Sequence, residues 1–70
     1  MNRLREIRVV KRVTQFQLRI VTGIHPSKIS LIENGFVQPR GDEVKKLSKA
    51  LGVSPEEIFP RSEATNERAI

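Results

Sequence analysis

Residues 14 to 35 hold the side chains whose types and spacing suit the recognition of another molecule. The segment TQFQLRIVTGIHPSKISLIENG reads as two short helices joined by a tight turn at Gly23, and the second helix presents small polar and basic side chains outward. Hydroxyl, amide and ammonium groups on such a helix can bond base edges and phosphates. The segment therefore has the shape of a unit that reads DNA.

The sequence lacks the side chains that catalysis would need. The chain has no cysteine and one histidine, and its sequence shows neither a glycine-rich phosphate loop nor paired carboxylates typical of a catalytic pocket. Without cysteine no disulfide framework or thiolate metal site can form, and one histidine cannot make a metal cluster alone. We therefore expect no enzymatic activity, no metal and no cofactor.

The positive charge lies in the front half of the chain. The 70 residues carry 13 basic and 8 acidic side chains, a net charge of +5, of which residues 1 to 28 contribute +6 and residues 29 to 70 contribute −1. This asymmetry suits a polyanion, because each neutralised phosphate releases condensed counterions. A basic half also fits a merely solvated face, so charge alone leaves both interpretations open.

The length and hydropathy pattern bound the class of protein. Seventy residues correspond to one domain, and a chain this short buries only about 60% of the surface that it exposes when unfolded, so a dimer would add stability. No apolar run approaches the roughly 20 residues that span a bilayer, and the N-terminus lacks the apolar core of a secretory signal. We expect a cytoplasmic protein without membrane contact.

Periodicity and capping signals predict five short helices and no strand, which is an all-α fold. Thr14 and Gln17 form a T-x-x-Q capping box, Pro26 suits a first helical position, and Ser54 and Glu57 form an S-x-x-E box. The expected helices cover residues 2–12, 15–22, 26–34, 41–51 and a short segment from 55. Together they form a domain over residues 1–60, with a flexible tail over 61–70.

Spaced matches to one family run from Leu4 to Phe59. They are Leu4-x-x-Ile7-Arg8, Thr14-Gln15-x-x-Leu18, Gly23-Ile24, Ile29-Ser30-x-Ile32-Glu33-x-Gly35, Pro39, and Leu47-x-x-Ala50-Leu51-Gly52-Val53-Ser54-x-Glu56-x-Ile58-Phe59. The chain thus resembles the helix-turn-helix family of phage lambda-type repressors and Cro, also called Xre-type regulators. The resemblance implies a compact five-helix lambda-repressor-like domain, with helices two and three as the helix-turn-helix.

The resemblance also implies double-stranded DNA as the partner and helix three, about residues 26–34, as the part that enters the major groove. Lys28 would bond guanine or phosphate, although it also fits a solvated lysine, and Leu31 would pack on a thymine methyl or be partly buried. His25 fits a turn or cap residue better than a base reader. The implied DNA-binding positions are Thr14, Gln15, His25, Pro26, Ser27, Lys28, Leu31, Asn34 and Arg40.

Positions around helix three have implied roles of two other kinds. Gln15 would bind a phosphate at the start of helix two, and Asn34 and Arg40 would contact the sugar-phosphate backbone. In similar proteins the positions of Arg8 and Glu33 form an internal ion pair, which makes both structural.

Oligomerisation follows from the resemblance less directly. Members of the family read palindromic operators as two subunits, so we expect a weak or DNA-induced homodimer. Val53, Ile58 and Phe59 are the contact candidates, and the same side chains could instead close the core.

Three residues depart from the family pattern. Arg19 stands where alanine is usual, close to helix three, so its long side chain must extend outward or the helix crossing must shift. Phe16 and Phe36 replace residues that are commonly polar. We expect Phe16 to pack on a neighbouring helix, and Phe36 to cover the core edge or, less favoured, to lie against deoxyribose.

Two functions of different classes fit these features. The first is a sequence-specific transcriptional regulator, a repressor of prokaryotic or phage origin. The second is a protein-interaction module, such as an antitoxin-like or bridging helix-turn-helix protein. Loss of function on changing Ser27 and Lys28 would favour the first, whereas sensitivity at Phe16, Phe36 or residues 60–70 would favour the second.

Overall fold

The computed structural model describes residues 2–60, which form five α-helices and contain no strand. The helices are α1 (Leu4–Val10), α2 (Gln15–Thr22), α3 (Pro26–Glu33), α4 (Gly41–Leu51) and α5 (Pro55–Ile58). The predicted all-α fold with helices two and three as the helix-turn-helix is confirmed. The expected bounds of α2 and α4 agree with the structure, and the predicted tail over residues 61–70 lies outside the described residues.

Each helix contributes at least one aliphatic side chain to a single core. α2 packs against α3 and α4, α4 packs against α5, and α1 packs against α3. Full burial of such a side chain stabilises the fold by about 1.5–3 kcal/mol, so this core holds the angle between α2 and α3. The buried aliphatic residues are Leu4, Ile7, Leu18, Ile24, Ile29, Ile32, Leu47, Leu51 and Ile58.

The chain leaves α1 through a left-handed residue that is not glycine. Arg12 has φ 59°, its N–H donates to Val9 O at 3.0 Å, and the Val13 N–H donates to Arg8 O at 2.9 Å. This pair of bonds is the Schellman pattern that ends many helices. It explains why α1 ends at Val10, two residues before the predicted end, and why Val10 is exposed.

Arg12→Gly is expected to be more stable than Arg12→Ala, by about 0.5–1 kcal/mol in the free energy of unfolding. Both changes remove the guanidinium, but only glycine relieves the left-handed penalty of about 1–2 kcal/mol, offset by about 0.4–1 kcal/mol of unfolded-chain entropy. Urea denaturation followed by circular dichroism measures the difference. Equal stability of the two variants would show that Arg12 is not strained.

The two predicted capping boxes have different outcomes. At α2, the Gln17 N–H donates to Thr14 Oγ1 at 3.0 Å and the Thr14 N–H donates to Gln17 Oε1 at 2.8 Å, so that box is confirmed. The box at α5 was predicted wrongly, because the Ser54 side chain makes no cap hydrogen bond. α5 is one turn long and is held instead by burial of Ile58 and by the Arg3 N–H, which donates to Ile58 O at 2.8 Å.

The predicted burial of Phe16 and Phe36 was also wrong, since both rings are exposed. Phe16 lies on the outer side of α2, whose inner side buries Leu18 and Thr22. Phe36 follows Gly35, whose φ of 79° turns the chain out of α3. The core is filled by aliphatic residues and leaves these aromatic rings on the surface.

Candidate nucleic-acid interface

The turn between α2 and α3 is held by hydrogen bonds in addition to packing. Gly23 has φ 78° and donates its N–H to Arg19 O at 2.7 Å. The buried Thr22 hydroxyl donates to Leu18 O at 2.6 Å and accepts the Ile24 N–H at 3.1 Å. Sequence reasoning missed Thr22, although a hydroxyl residue just before a helix-ending glycine is a signal for such a local bond.

His25 and Pro26 start α3. The imidazole Nδ1 of His25 accepts the Ser27 N–H at 3.1 Å, so this nitrogen caps the helix, and it lies 2.8 Å from Ser27 Oγ. Pro26 occupies the first turn, where its missing N–H costs nothing. The two residues therefore set the start of the helix that carries the exposed polar face.

The outer face of α3 presents a mixed polar and apolar surface. Ser27 and Leu31, one turn apart, are exposed, whereas Ile29 and Ile32 on the inner face are completely buried. Asn34 is exposed just beyond the helix, and its side-chain amide donates to Ser30 O at 2.9 Å. Hydroxyl and methyl groups at this spacing can contact neighbouring base pairs in one groove.

Glu33 joins three helices through one buried carboxylate, of which 4% is exposed. Arg8 donates Nε to Glu33 Oε2 at 2.6 Å and Nη2 to Oε1 at 3.4 Å. Gln15 donates its amide to Oε1 at 3.1 Å, and Arg8 Nη1 also donates to Val13 O at 3.0 Å. The Gln15 side chain therefore points toward α3, and this bond fixes the start of α2 beside the last turn of α3.

A second carboxylate, Glu43, organises the other side of α3. Lys28 donates Nζ to Glu43 Oε2 at 2.8 Å, and the Arg40 N–H donates to Oε1 at 2.9 Å. The Glu43 side chain is 7% exposed and that of Lys28 is 37% exposed. The hydrogen bond from Lys28, followed by that from the Arg40 N–H, lowers the pKa of the Glu43 carboxyl below its ordinary value.

Sequence reasoning did not predict the contact of Glu43 with Lys28 or its bond with the Arg40 N–H. The signal that was available for the second is the position of Glu43 three residues after Arg40, where a glutamate reaches back to the N-cap N–H. The Arg40 guanidinium is exposed and lies 3.6 Å from Asp42 Oδ1 and 3.9 Å from Glu43 Oε2. The Arg40 guanidinium is thus exposed beside the Lys28–Glu43 pair, at the first turn of α3.

Glu43→Gln is expected to reduce the free energy of unfolding by about 1–2 kcal/mol at pH 7. A hydrogen bond to a charged group contributes about 1.5–3 kcal/mol, and the partial exposure of Lys28 screens this pair. Because the pKa of Glu43 is lowered in the fold, its contribution is complete above the unfolded value of about 4.3. It is lost as the pH falls through the folded value. The stabilities of wild type and variant should therefore begin to converge as the pH falls below about 4.3 and come together below the folded value.

Chemical denaturation between pH 3 and pH 8 measures this convergence. Asp42→Asn is the matched control, because it removes the same charge from an exposed carboxylate in the same turn of α4. A constant difference between wild type and Glu43→Gln across this range would contradict the assigned role of the Glu43 carboxylate.

A helix-turn-helix domain family matches residues 2–58, which is most of the chain and includes all five helices. The chain belongs to this helix-turn-helix domain family. The sequence matches no curated protein. Membership identifies a DNA-binding domain of a fold that is typically non-enzymatic. Among residues 2–60 there is no helix long and apolar enough to cross a membrane, and no group of three potential metal ligands.

Two of the three residues predicted as candidate dimer contacts are partly exposed, and the third is buried. Val53 and Phe59 are partly buried and pack against the core. Ile58 is completely buried, so of the two roles that the sequence left open for it, dimer contact or closure of the core, the structure supports the second. The physical reason is that α5 has a single turn, and Ile58 is the side chain that anchors this turn to the rest of the domain.

Asn2 also supports the helix-turn-helix and was missed by sequence reasoning. Its side-chain amide donates to Ile32 O at 2.8 Å, and its Oδ1 accepts the Leu4 N–H at 3.0 Å. An asparagine just before a helix is a signal for the second bond, but nothing local predicts the first. Asn2 thereby links the start of α1 to the last turn of α3.

Proposed function

We propose that this helix-turn-helix domain, residues 1–60, is the DNA-binding domain of a sequence-specific transcriptional repressor of prokaryotic or phage origin that acts in the cytoplasm. The observation that carries the proposal is the arrangement of α3. Ile29 and Ile32 fix its inner face in the core, while Ser27 and Leu31 are exposed on its outer face. Lys28 is half-buried, with 37% of its side chain exposed. A short rigid helix with such a face fits the major groove.

Lys28 is the side chain that we assign to base or phosphate recognition. An ammonium group has three donors, and the structure uses one of them on Glu43. The pair therefore restrains the lysine stem without consuming its capacity to donate to guanine O6 and N7. Ser27 supplies a hydroxyl beside it, and Leu31 supplies an apolar contact for a thymine methyl.

Contacts to the DNA backbone would come from both ends of this face. Thr14 and Gln15 lie at the start of α2, where free N–H groups and the helix dipole favour a phosphate. Asn34 and the exposed Arg40 follow α3. These contacts would position α3 without reading sequence, and His25 and Pro26 would act by starting the helix.

A single domain of this size is expected to act with a second copy. One module of this kind buries only about 600–1,000 Å² against DNA, which favours a palindromic operator read by two subunits. We assign Val53 and Phe59 to the contact in a weak or DNA-induced homodimer. Bound over a promoter, such a dimer represses by occupying the site.

Selection of bound duplexes from a random DNA pool, at two salt concentrations, tests the proposal. Recovery of an inverted repeat with half-sites about one turn, roughly 10 bp, apart is expected. The affinity for the selected duplex should fall as salt rises, because bound phosphates release counterions. Recovery of no sequence, or of binding that is equally strong for all duplexes, would contradict a sequence-specific regulator.

A further inference from the structure

A shallow groove of about 370 Å³ lies between α2 and α4, away from the outer face of α3. Val13, Ile20, Val21 and Ala50 line it, together with the buried Leu18. Ile20 and Val21 are each 69% exposed. Neighbouring aliphatic side chains left exposed beside a groove form an apolar patch, and such patches mark contact sites for other molecules.

The groove is built from two segments that contain no acidic residue. Residues 7–32 and 44–55 include neither Asp nor Glu. Arg12 lines the groove, and Lys46 lies one helical turn before Ala50 on α4. The parts of these segments nearest the groove residues in sequence, 11–20 and 44–50, carry six basic residues. They are Lys11, Arg12, Arg19, Lys45, Lys46 and Lys49.

This charge pattern distinguishes between possible occupants. A second copy of the chain would bring like charges together across the contact, which is unfavourable. An acidic partner would instead gain attraction at the rim while burying apolar side chains at the centre. Residues 2–60 contain no strand to extend, so a partner cannot bind by adding to a sheet there, whereas a groove between two helices accepts a third helix.

We propose that the groove between α2 and α4 docks an acidic amphipathic helix of a partner protein. Its apolar side chains contact Ile20, Val21 and Val13, and its carboxylates contact Arg12 and Lys46. This inference goes beyond DNA recognition by α3. None of the groove residues lies on α3, so a helix docked there leaves the outer face of α3 uncovered.

The test uses the full chain labelled with ¹⁵N and two synthetic helical peptides of about 14 residues, roughly four turns. Both peptides carry leucine on one face, and the other positions are glutamate in the first peptide and lysine in the second. The glutamate peptide is expected to shift the amide signals of residues 12, 13, 17–21 and 50, with weaker binding as salt rises. The lysine peptide is expected to leave them unchanged.

The matched variants are Ile20→Ser/Val21→Ser and Val9→Ser/Val10→Ser. All four residues are exposed, so both variants should fold, which dispersed amide signals will establish. The first is expected to weaken binding of the glutamate peptide by about tenfold or more, and the second to leave it unchanged. Both variants should still bind DNA, because neither changes α3. If the wild type itself did not bind DNA, the proposed role of α3 would be contradicted and the docking proposal would not.

Several outcomes would overturn the docking proposal. These are equal binding of the two peptides, shifts centred on α3, no shifts with the glutamate peptide at millimolar concentration, or no effect of Ile20→Ser/Val21→Ser. If the wild type bound phosphatidylglycerol vesicles and Ile20→Ser/Val21→Ser did not, the patch would be assigned to a membrane surface. If the wild type were a dimer and the variant a monomer, the patch would be assigned to contact with a second copy of the chain.

Discussion

Glu33→Ala is expected to cost about 3–5 kcal/mol in the free energy of unfolding, as removal of one partner from a buried ion pair does. The change leaves the largely buried Arg8 guanidinium without its carboxylate and removes the acceptor of Gln15. A domain of this size has a total stability of about 4–10 kcal/mol. The variant should therefore lose about a third or more of the total free energy of unfolding, as urea denaturation will measure.

Glu6→Ala is the matched control, because Glu6 also pairs with an arginine, at 3.1 Å, but at the surface. An exposed pair of this kind contributes little to stability, because water and salt screen its charges. The double variant Arg8→Met/Glu33→Leu should lose less than Glu33→Ala, since apolar replacements leave no buried charge. If Glu33→Ala cost no more than Glu6→Ala, the contact among α1, α2 and α3 would not stabilise the domain.

Lys28→Ala is expected to weaken binding to the selected operator by about 1–3 kcal/mol, the worth of a good base contact, or roughly 5- to 150-fold in Kd. The expectation depends on the proposed function and on the two donors that Lys28 keeps after bonding Glu43. Fluorescence anisotropy with labelled duplexes measures the change. Duplexes with single base-pair substitutions in each half-site should show where the variant has lost specificity. The affinity of Lys28→Ala should no longer depend on the base pair at the position that Lys28 contacts.

The ion pair with Glu43 makes a second variant necessary, because Lys28→Ala also leaves a buried carboxylate without its cation. Lys28→Ala/Glu43→Gln removes that charge, so its stability should recover toward that of Glu43→Gln while operator affinity stays low. Recovery of affinity together with stability would mean that Lys28 acts only through the fold. Ser27→Ala, which removes one exposed hydroxyl, provides a test of the same face without this complication.

Local signals in the sequence were sufficient for the helices. The capping box of Thr14 and Gln17 placed the start of α2, and Pro26 placed the start of α3, because these effects act within one turn of a helix. The four-residue spacing of Leu47 and Leu51 is that of one helix face, and both are buried on α4. The left-handed Arg12 was not predicted, since that conformation is expected of glycine and a basic residue carries no signal for it.

Apart from the Arg8–Glu33 pair, which the family resemblance implied, contacts between distant residues were decided only by the tertiary structure. Gln15 and Glu33 are 18 residues apart, Lys28 and Glu43 are 15 apart, and Asn2 and Ile32 are 30 apart. No spacing rule reaches that far, so only the packing of the helices brings these side chains together. The same packing leaves Phe16 and Phe36 exposed and buries Ile58, because the core is already filled by aliphatic residues.

The sequence by itself thus determined the all-α class, the helix-turn-helix segment and the basic front half, since each depends on local pattern or composition. Only the tertiary structure decided which polar side chains are held by buried carboxylates and which remain available on α3. It also decided that Ile20 and Val21 lie beside a groove instead of in the core. The physical reason is that exposure depends on the neighbours that folding brings together.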